Sequence, residues 1–238
     1  MIHHIKMKPI IILSAIPEEI EDFISHYPNI QIQKTGAFTF FHTTEQDQPL
    51  ILGTSGVGKV AAAMTTQKII DLYAPRCILF TGLAGALNPA YEIGDLILAD
   101  RCIQYDIDAS ELGFPAGTIP YTEYHTFTPD ETLLKLAQQI ESEQTLHTGT
   151  ILTGDQFMTH DKRAHYQTLL DQFKGDAIEM EGAALAHVCT HNQIPFLLLR
   201  TISDKANEAA SIDFSNFLKT ASTHSFEFLQ KLLNAIHD

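Results

Sequence analysis

The chain has 238 residues, of which 45% are hydrophobic, so its length suits one α/β domain with a sizeable core. Its formal net charge of −14 repels phosphate backbones and argues against a nucleic-acid partner. No apolar run reaches the roughly 18 residues of a membrane helix, residues 1–9 carry no signal-peptide pattern, and three dispersed cysteines favour a reducing cytoplasm over a disulfide framework.

Short β-rich runs alternate with amphipathic segments along the chain. The pattern predicts strands at 8–15, a hairpin of two strands around Gly36 within 30–44, and strands at 49–54, 76–81, 94–105, 147–153, 176–180 and 196–203. It predicts helices at 17–27, 57–73, 130–143, 161–173, 182–192 and 213–236, and a turn, GLAGAL, after residue 81. This alternation predicts one domain over 1–238, a three-layer αβα sandwich with a mixed, mostly parallel central sheet.

Residues 106–127, called the long loop below, interrupt the alternation. The segment combines proline and glycine turn breakers with apolar residues that have no predicted element to pack into. Because a loop of this length inside a compact domain is uncommon and usually functional, we expect a role in binding or assembly.

A glycine-rich segment, residues 53–60 (GTSGVGKV), follows one predicted strand and opens a helix. It matches the phosphate-binding pattern GxxxxGK[ST] except at the last position, where Val60 lacks the hydroxyl that holds magnesium. The sequence therefore favours a turn that lets the backbone approach a ligand or another strand over a nucleotide triphosphate site.

Two carboxylates flank a methionine where the predicted strand 176–180 passes into a helix. Alternation along a strand puts Glu179 and Glu181 on one face and Met180 on the other. Apolar neighbours such as Ile178 and Leu185 predict that this strand end is buried. A buried carboxylate needs partners, and ribose hydroxyls are suitable ones.

Carboxylates also follow two other predicted strands. Asp204 ends the motif RTISD after an apolar strand, and Glu18 and Glu19 follow the first strand. Ligands of α/β sheets bind beyond the carboxyl ends of the strands, which favours a functional role. An acidic residue that stabilises a helix N-terminus is the alternative at each place, and the local sequence leaves it open.

His187 and His191 lie four residues apart on a predicted helix, a spacing that zinc ligands use. No glutamate lies between them in an HExxH pattern, and no third ligand is near in sequence. The sequence therefore favours ordinary helix packing and predicts neither a metal site nor a cofactor.

Six motifs in a fixed order carry a resemblance to a known family. They are SAIPEEI, SGVGKVAAA, TGLAGAL with IGDLILAD, TGDQFM, AIEMEGAALAHVC, and RTISD with DFSNFL. Over nearly its whole length the chain resembles the bacterial 5′-methylthioadenosine/S-adenosylhomocysteine nucleosidases of the nucleoside phosphorylase superfamily. The resemblance implies hydrolysis of 5′-substituted adenosines, among them 5′-methylthioadenosine, S-adenosylhomocysteine and 5′-deoxyadenosine, with release of adenine.

The resemblance also implies a role for each matching residue. Asp204 is expected to donate a proton at N7 of the purine, with Ser203 orienting it. Glu19 is expected to deprotonate the attacking water, with Arg200 near that water. The implied substrate-binding residues are Met180 and Glu181 at the ribose, Phe157 and Met158 at the adenine, Ile16, Val57 and Phe214 at the 5′-substituent, and Glu179, Ala84 and Gly85 nearby.

Three residues of the long loop match positions that reach into the partner's active site in that family: Ala109, Leu112 and Pro120. A homodimer with shared active sites is therefore implied. The apolar residues of the long loop are consistent with such an interface.

Cleavage of a ribose–adenine bond needs an acid at the leaving base and a base at the water, which is the logic of an inverting glycosidase. One departure from the family pattern bears on the water. The family usually has a small hydroxyl residue where this chain has Leu83, and leucine cannot hydrogen-bond water or ribose. The sequence of the long loop also departs from the commonest sequence of the family. This leaves open another 5′-substituent, as in aminodeoxyfutalosine, the substrate of relatives in a menaquinone route.

Two further functions remain as alternatives at this level. A purine nucleoside phosphorylase of the same fold needs a cationic phosphate pocket, whereas the SAIPEEI turn carries carboxylates and no arginine. A non-catalytic nucleoside-binding protein is favoured by Leu83 and disfavoured by the presence of Glu19, Glu181 and Asp204.

Overall fold

A computed structural model describes residues 7–207 and 210–237. The predicted absence of a signal peptide concerns residues 1–9, of which 1–6 lie outside the described residues. Within the described part, ten strands form one sheet. They are β1 (Ile10–Ser14), β2 (Gln31–Thr35), β3 (Phe38–Glu45), β4 (Gln48–Thr54), β5 (Cys77–Phe80), β6 (Leu83–Ala86), β7 (Leu96–Gln104), β8 (Leu146–Thr153), β9 (Ala177–Glu179) and β10 (Phe196–Asp204).

Helices cover both faces of the sheet. They are α1 (Glu21–His26), α2 (Lys59–Tyr73), α3 (Glu131–Gln138), α4 (His160–Phe173), α5 (Gly182–His191) and α6 (Ala210–His237). Two short 3-10 turns, Pro17–Glu19 and Ser110–Leu112, complete the regular structure of the described residues. The predicted helix at 17–27 is therefore split, with a 3-10 turn before α1.

The central strand β1 shows why the molecule has three layers. Every residue of β1 is buried, as expected for a strand that is covered on both faces. Ile11 and Leu13 belong to an apolar cluster shared with α2 and α5. Ile10 and Ile12 point the other way, into a cluster shared with α1, α3 and α6. The predicted three-layer αβα sandwich is confirmed.

Strand pairing agrees with a mixed, mostly parallel sheet. The strand order is β2-β3-β4-β1-β5-β10-β6-β9-β8-β7. β1 lies parallel to β4 and β5, and β10 lies parallel to β5 and then to β6. β2, β3 and β4 are antiparallel and include the predicted hairpin, and β6–β9 and β7–β10 are the other antiparallel pairs of the described sheet.

Two features of the sheet differ from the sequence-based expectation. The segment GLAGAL was expected to be a turn, but Leu83–Ala86 forms β6, which pairs with β9 and β10. Small residues permit this because the backbone packs closely against its neighbours there. In addition, β7 pairs antiparallel with β10, so the second half of the sheet closes on itself.

Candidate active site

A cavity of about 360 Å³ opens beyond the carboxyl ends of β1, β9 and β10. Such a position is the usual ligand site of an α/β sheet. It is lined by Ala15, Ile16, Glu19, Val57, Leu83, Ala84, Gly85, Gln156, Phe157, Met158, Ile178, Glu179, Met180, Glu181, Ser203, Asp204, Ser211, Phe214 and Ser215. Four of these side chains are carboxylates, and no lysine, arginine or histidine of the described residues is among them.

Glu19 is held by backbone N–H groups on both of its oxygens. Ala15 and Ile16 donate to Oε2 at 2.8 and 3.0 Å, and Leu83 donates to Oε1 at 3.1 Å. Burial raises the pKa of this carboxyl, whereas the positive charge of Arg200 and the three N–H groups oppose that rise. The side chain is therefore fixed in direction by the backbone.

The glycine before Leu83 allows this approach. A Cβ built on Gly82 would lie 2.9 Å from Glu19 Oε1, and Gly82 has a φ of +154°. Any larger residue would push against the carboxylate. Leu83 itself lines the cavity with its side chain, while its backbone N–H makes the contact with Glu19. The replacement of a hydroxyl residue by leucine thus leaves this hydrogen bond in place, because the backbone supplies it.

Asp204 ends β10 and has fewer donors. Its Oδ1 accepts from the Ala206 N–H at 2.8 Å, and its Oδ2 accepts from the Ser203 hydroxyl at 2.9 Å. Burial raises the pKa of Asp204, these two hydrogen bonds oppose the rise, and the negative charge of Asp213 adds to it. A Cβ on Gly85 would lie 2.8 Å from Oδ1, which explains a small residue there.

Glu181 caps the start of α5 and keeps one oxygen directed to the glycine-rich turn. Its Oε1 accepts from the Gly58 N–H at 2.7 Å. Burial, followed by the repulsion of Glu179, raises the pKa of Glu181 to about 8. The segment that resembles a phosphate-binding loop therefore binds a carboxylate of its own chain.

Glu179 and Arg200 form a buried ion pair beside the cavity. Glu179 Oε2 accepts from Arg200 at 2.7 Å and from the Glu181 and Gly182 N–H groups at 3.0 and 2.7 Å. Its Oε1 accepts from the Thr153 hydroxyl. With both oxygens occupied by the chain itself, Glu179 fixes the turn that carries Met180 and Glu181.

Arg200 lies beside the cavity, and its expected place near the attacking water stays a prediction. Arg200 is 1% exposed and does not line the cavity. Its guanidinium lies 4.3 Å from the centre of the Phe80 ring and bonds Glu179, so it acts on Glu19 only through its charge. Met180 lines the cavity together with both glutamates, whereas strand alternation placed it on the opposite face, and its contact with the ribose stays a prediction. β9 ends at Glu179, so strand alternation does not extend to the next two residues.

The remaining predicted residues of this chain meet at the cavity. Phe157 and Phe214 pack edge to face, with ring centres 5.8 Å apart. The others on its wall are Ile16, Val57, Ala84, Gly85, Met158 and Ser203. Their contacts with a substrate stay predictions.

Sequence reasoning did not include several lining residues. Ser211 and Ser215 lie on α6, one turn apart, on either side of the predicted Phe214. The helical period of 3.6 residues would have indicated that they share a face. Gln156 lies beside the predicted Phe157 in the loop after β8 and carried no separate signal.

Ala109, Leu112 and Pro120 do not line the cavity of their own chain. Leu112 is 71% exposed, and it lies in the 3-10 turn Ser110–Leu112 of the long loop. Their predicted place in a partner's cavity is treated below.

His187 stacks on Phe127, with ring centres 4.8 Å apart. Across residues 7–207 and 210–237, no three His, Cys, Asp or Glu side chains are grouped as a metal site would need. In the same residues, no helix combines the length and apolar character required to cross a membrane.

A sequence model of the phosphorylase superfamily matches residues 9–234. The chain belongs to the phosphorylase superfamily. Within this superfamily it is 36% identical over 229 residues to the aminodeoxyfutalosine nucleosidase of Campylobacter jejuni, covering 95% of this chain and 98% of that one. It is 33% identical over 228 residues to the 5′-methylthioadenosine/S-adenosylhomocysteine nucleosidase of Staphylococcus saprophyticus, covering 94% and 99%.

Solved structures of the superfamily have the same fold. A Helicobacter pylori 5′-methylthioadenosine/S-adenosylhomocysteine nucleosidase mutant, with 5′-methylthioadenosine in its active site, superimposes with a TM-score of 0.91. The two chains are 32% identical, and the match covers 96% of this chain and 99% of that one. A cavity with two separately held carboxylates, Glu19 and Asp204, is suited to proton transfer at two different atoms of a bound molecule.

Proposed function

We propose that this chain hydrolyses the N-glycosidic bond of 5′-substituted adenosines, 5′-methylthioadenosine among them, and releases adenine. The cavity lining carries the proposal: four carboxylates and, within the described residues, no cationic side chain. A phosphorylase must attract phosphate, and the described residues of this wall offer no cationic side chain to do so. Water is uncharged and is activated by a carboxylate.

Two proton transfers would accompany cleavage. Asp204, whose pKa is raised by burial, donates a proton to N7 of the adenine as the bond between C1′ and N9 breaks. Glu19 takes a proton from the water whose oxygen forms the new bond to C1′. Each transfer contributes roughly 10²–10⁴-fold to the rate. The carboxylates near the ribose also favour the positive charge that develops on the sugar.

The roles at the ribose and at the adenine follow from the walls of the cavity. Glu181 Oε2 is not engaged by Gly58, so it is available for ribose hydroxyls, with Met180 packing under the sugar. Phe157 supplies an aromatic face for adenine, and Phe214 meets that ring edge to face. Ile16 and Val57 provide apolar surface for the 5′-substituent.

Adenine release from 5′-methylthioadenosine, measured with and without inorganic phosphate, tests the reaction class. Hydrolysis predicts equal rates and a free ribose product in both conditions. A strict requirement for phosphate, with a ribose 1-phosphate product, would show a phosphorylase instead. Equal and very slow release by the wild type and by Asp204→Asn would favour a binding protein.

Aminodeoxyfutalosine is a second candidate substrate. The Campylobacter jejuni relative at 36% identity has that activity in its name. The cavity also adds two serine hydroxyls, from Ser211 and Ser215, to its apolar wall. A comparison of kcat/KM for aminodeoxyfutalosine, 5′-methylthioadenosine, S-adenosylhomocysteine and 5′-deoxyadenosine would rank the substrates.

We also propose a homodimer in which the long loop reaches the partner's cavity. Large apolar side chains are exposed in the long loop and on α2: Leu112, Tyr121, Val60 and Met64. Because large exposed apolar side chains are typical of interaction surfaces, a second copy of the chain is the proposed occupant. Ala109 and Pro120 would enter the same interface.

Sedimentation of the wild type and of Leu112→Asp tests this assembly. The charged variant is expected to shift toward monomer and to lose activity in parallel. Lys174→Asp, at the exposed C-terminal end of α4, is the matched control. A monomeric wild type that is fully active would contradict the shared site.

Composition and cysteine state support the remaining assignments. Cys77, Cys102 and Cys189 are free and buried, which favours a reducing compartment such as the cytoplasm. The net charge of −14 argues against nucleic acid as a partner. We propose a nucleoside and a second copy of the chain as the molecules that this single domain binds.

A further inference from the structure

The glycine-rich turn before α2 contacts three carboxylates of its own chain, a property that the proposed reaction does not explain. Gly58 N–H bonds Glu181 Oε1 at 2.7 Å, and the next N–H, of Lys59, bonds Asp155 Oδ1 at 2.8 Å. The Lys59 ammonium lies 2.5 Å from Asp106 Oδ1 and 3.8 Å from Asp155 Oδ2. Asp155 and Asp106 are also joined directly, because the Asp155 N–H donates to Asp106 Oδ2 at 3.0 Å.

Each carboxylate belongs to a different part of the cavity or of the proposed interface. Glu181 is assigned to the ribose. Asp155 begins the loop that continues into Gln156, Phe157 and Met158, all of which line the cavity. Asp106 is the first residue of the long loop. The Lys59 ammonium therefore lies where three separate segments meet.

The positive charge of Lys59 is compensated by the two aspartates that it contacts. A cation in the first turn of a helix is opposed by the helix dipole, so its presence needs a compensating interaction. The side chains of Lys59 and Asp106 are only 17% and 16% exposed, which limits screening by salt. Without the ammonium, two aspartates would remain close together and would repel each other.

We propose that Lys59 is a positioning residue that holds the loop of residues 155–158 and the long loop against the turn that carries Met180 and Glu181. The proposal rests on the proposed function, since these loops are assigned to the substrate and to the partner. Lys59 does not line the cavity, so its effect passes through Asp106 and Asp155. An interaction that aligns binding loops acts equally on the bound substrate and on the transition state, and its loss raises KM more than it lowers kcat.

Steady-state kinetics of four variants test the positioning role. Lys59→Met keeps the aliphatic stem and removes the charge, and it is expected to raise KM for 5′-methylthioadenosine about tenfold with kcat within about threefold. Lys59→Arg retains a cation and is expected to restore KM. Asp106→Asn should resemble Lys59→Met, and the double variant should be no worse than Lys59→Met alone. Lys68→Met, further along α2, is the matched control.

Hydrogen exchange of the free protein gives a second readout that needs no activity. In Lys59→Met, the amides of Gly117 and Ile119, which bond Ile107 and Tyr124 within the long loop, are expected to exchange faster. Unchanged exchange, or an equal change in Lys68→Met, would overturn the proposal. If the wild type itself released no adenine, the proposed function would fail, while the exchange result would still decide the role of Lys59.

Discussion

Glu19 and Asp204 line the same cavity and both have a raised pKa, yet their surroundings differ. Three backbone N–H groups and the charge of Arg200 favour the ionised form of Glu19. Asp204 has one N–H and one hydroxyl, and the charge of Asp213 acts against ionisation. Two carboxyl groups in one cavity are thus prepared for opposite roles, Glu19 as the base and Asp204 as the acid.

Removal of either proton-transfer group should have the largest effect. Asp204→Asn and Glu19→Gln are each expected to lower kcat about 10²–10⁴-fold while the fold is retained. Steady-state adenine release measures the loss, and Asp161→Asn, on the surface of α4, is the control. A fall of less than about tenfold in either variant would mean that its carboxyl is not a proton-transfer group.

The pH profile should separate the two roles. The base must be ionised, so activity is expected to fall as the pH drops below the pKa of Glu19. The acid must be protonated, so activity should fall as the pH rises above the pKa of Asp204. In the profile of residual kcat/KM, Glu19→Gln should lose the acidic limb and Asp204→Asn the alkaline limb. Loss of the opposite limbs would reverse the assignment.

Replacement of Arg200 tests whether the pKa of Glu19 depends on a positive charge to which Glu19 makes no hydrogen bond. Arg200→Met leaves Glu179 buried without its ion pair, which should cost about 3–5 kcal/mol of unfolding free energy. At a low temperature, where Arg200→Met remains folded, the acidic limb of its pH–activity profile should move to higher pH. The reason is that the positive charge of Arg200 no longer lowers the pKa of Glu19. A destabilised variant with an unmoved limb would confine Arg200 to a structural role.

Replacement of Leu83 tests whether the backbone N–H of this residue is sufficient to hold Glu19, the proposed base. Leu83→Ser keeps the N–H bond to Glu19, so kcat is expected to change less than about tenfold, while loss of buried volume lowers stability by about 2–5 kcal/mol. Leu83→Met, which conserves volume, should cost less than about 1.5 kcal/mol. Urea unfolding and adenine release measure the two effects. A gain in kcat of about 10²-fold for the serine variant would show that the hydroxyl is needed.

The raised pKa of Glu181 leads to a pH-dependent effect on stability. Its pKa rises from 4.5 to about 8 on folding, so the native state retains a proton that the unfolded chain loses. Its contribution is fully present below pH 4.5 and is lost as the pH rises through about 8. Relative to the wild type, Glu181→Gln should gain at most about 1.4 kcal/mol per pH unit across that range. A pH-independent difference in urea unfolding would contradict the raised pKa.

The sequence was sufficient for the layers and for most of the cavity wall. Buried strands and amphipathic helices have local patterns, and Glu19, Glu181 and Asp204 each follow or end a predicted strand. The hydrogen bond from the Leu83 N–H to Glu19 was not predictable from the sequence. Every residue except proline has the same backbone N–H, so the identity of residue 83 carries no signal for it. The closure of β7 on β10 and the ion pair of Arg200 with Glu179 depend on distant parts of the chain that no local pattern relates.

A leaving group that needs no proton tests the central assignment most directly. A 5′-methylthio-ribofuranoside of p-nitrophenol departs as a stabilised anion, so the acid becomes unnecessary while the base remains essential. The account predicts that Asp204→Asn is within about tenfold of the wild type on this substrate and about 10²-fold or more below it on 5′-methylthioadenosine, with Glu19→Gln impaired on both. Equal impairment of Asp204→Asn on the two substrates would contradict its role as the acid.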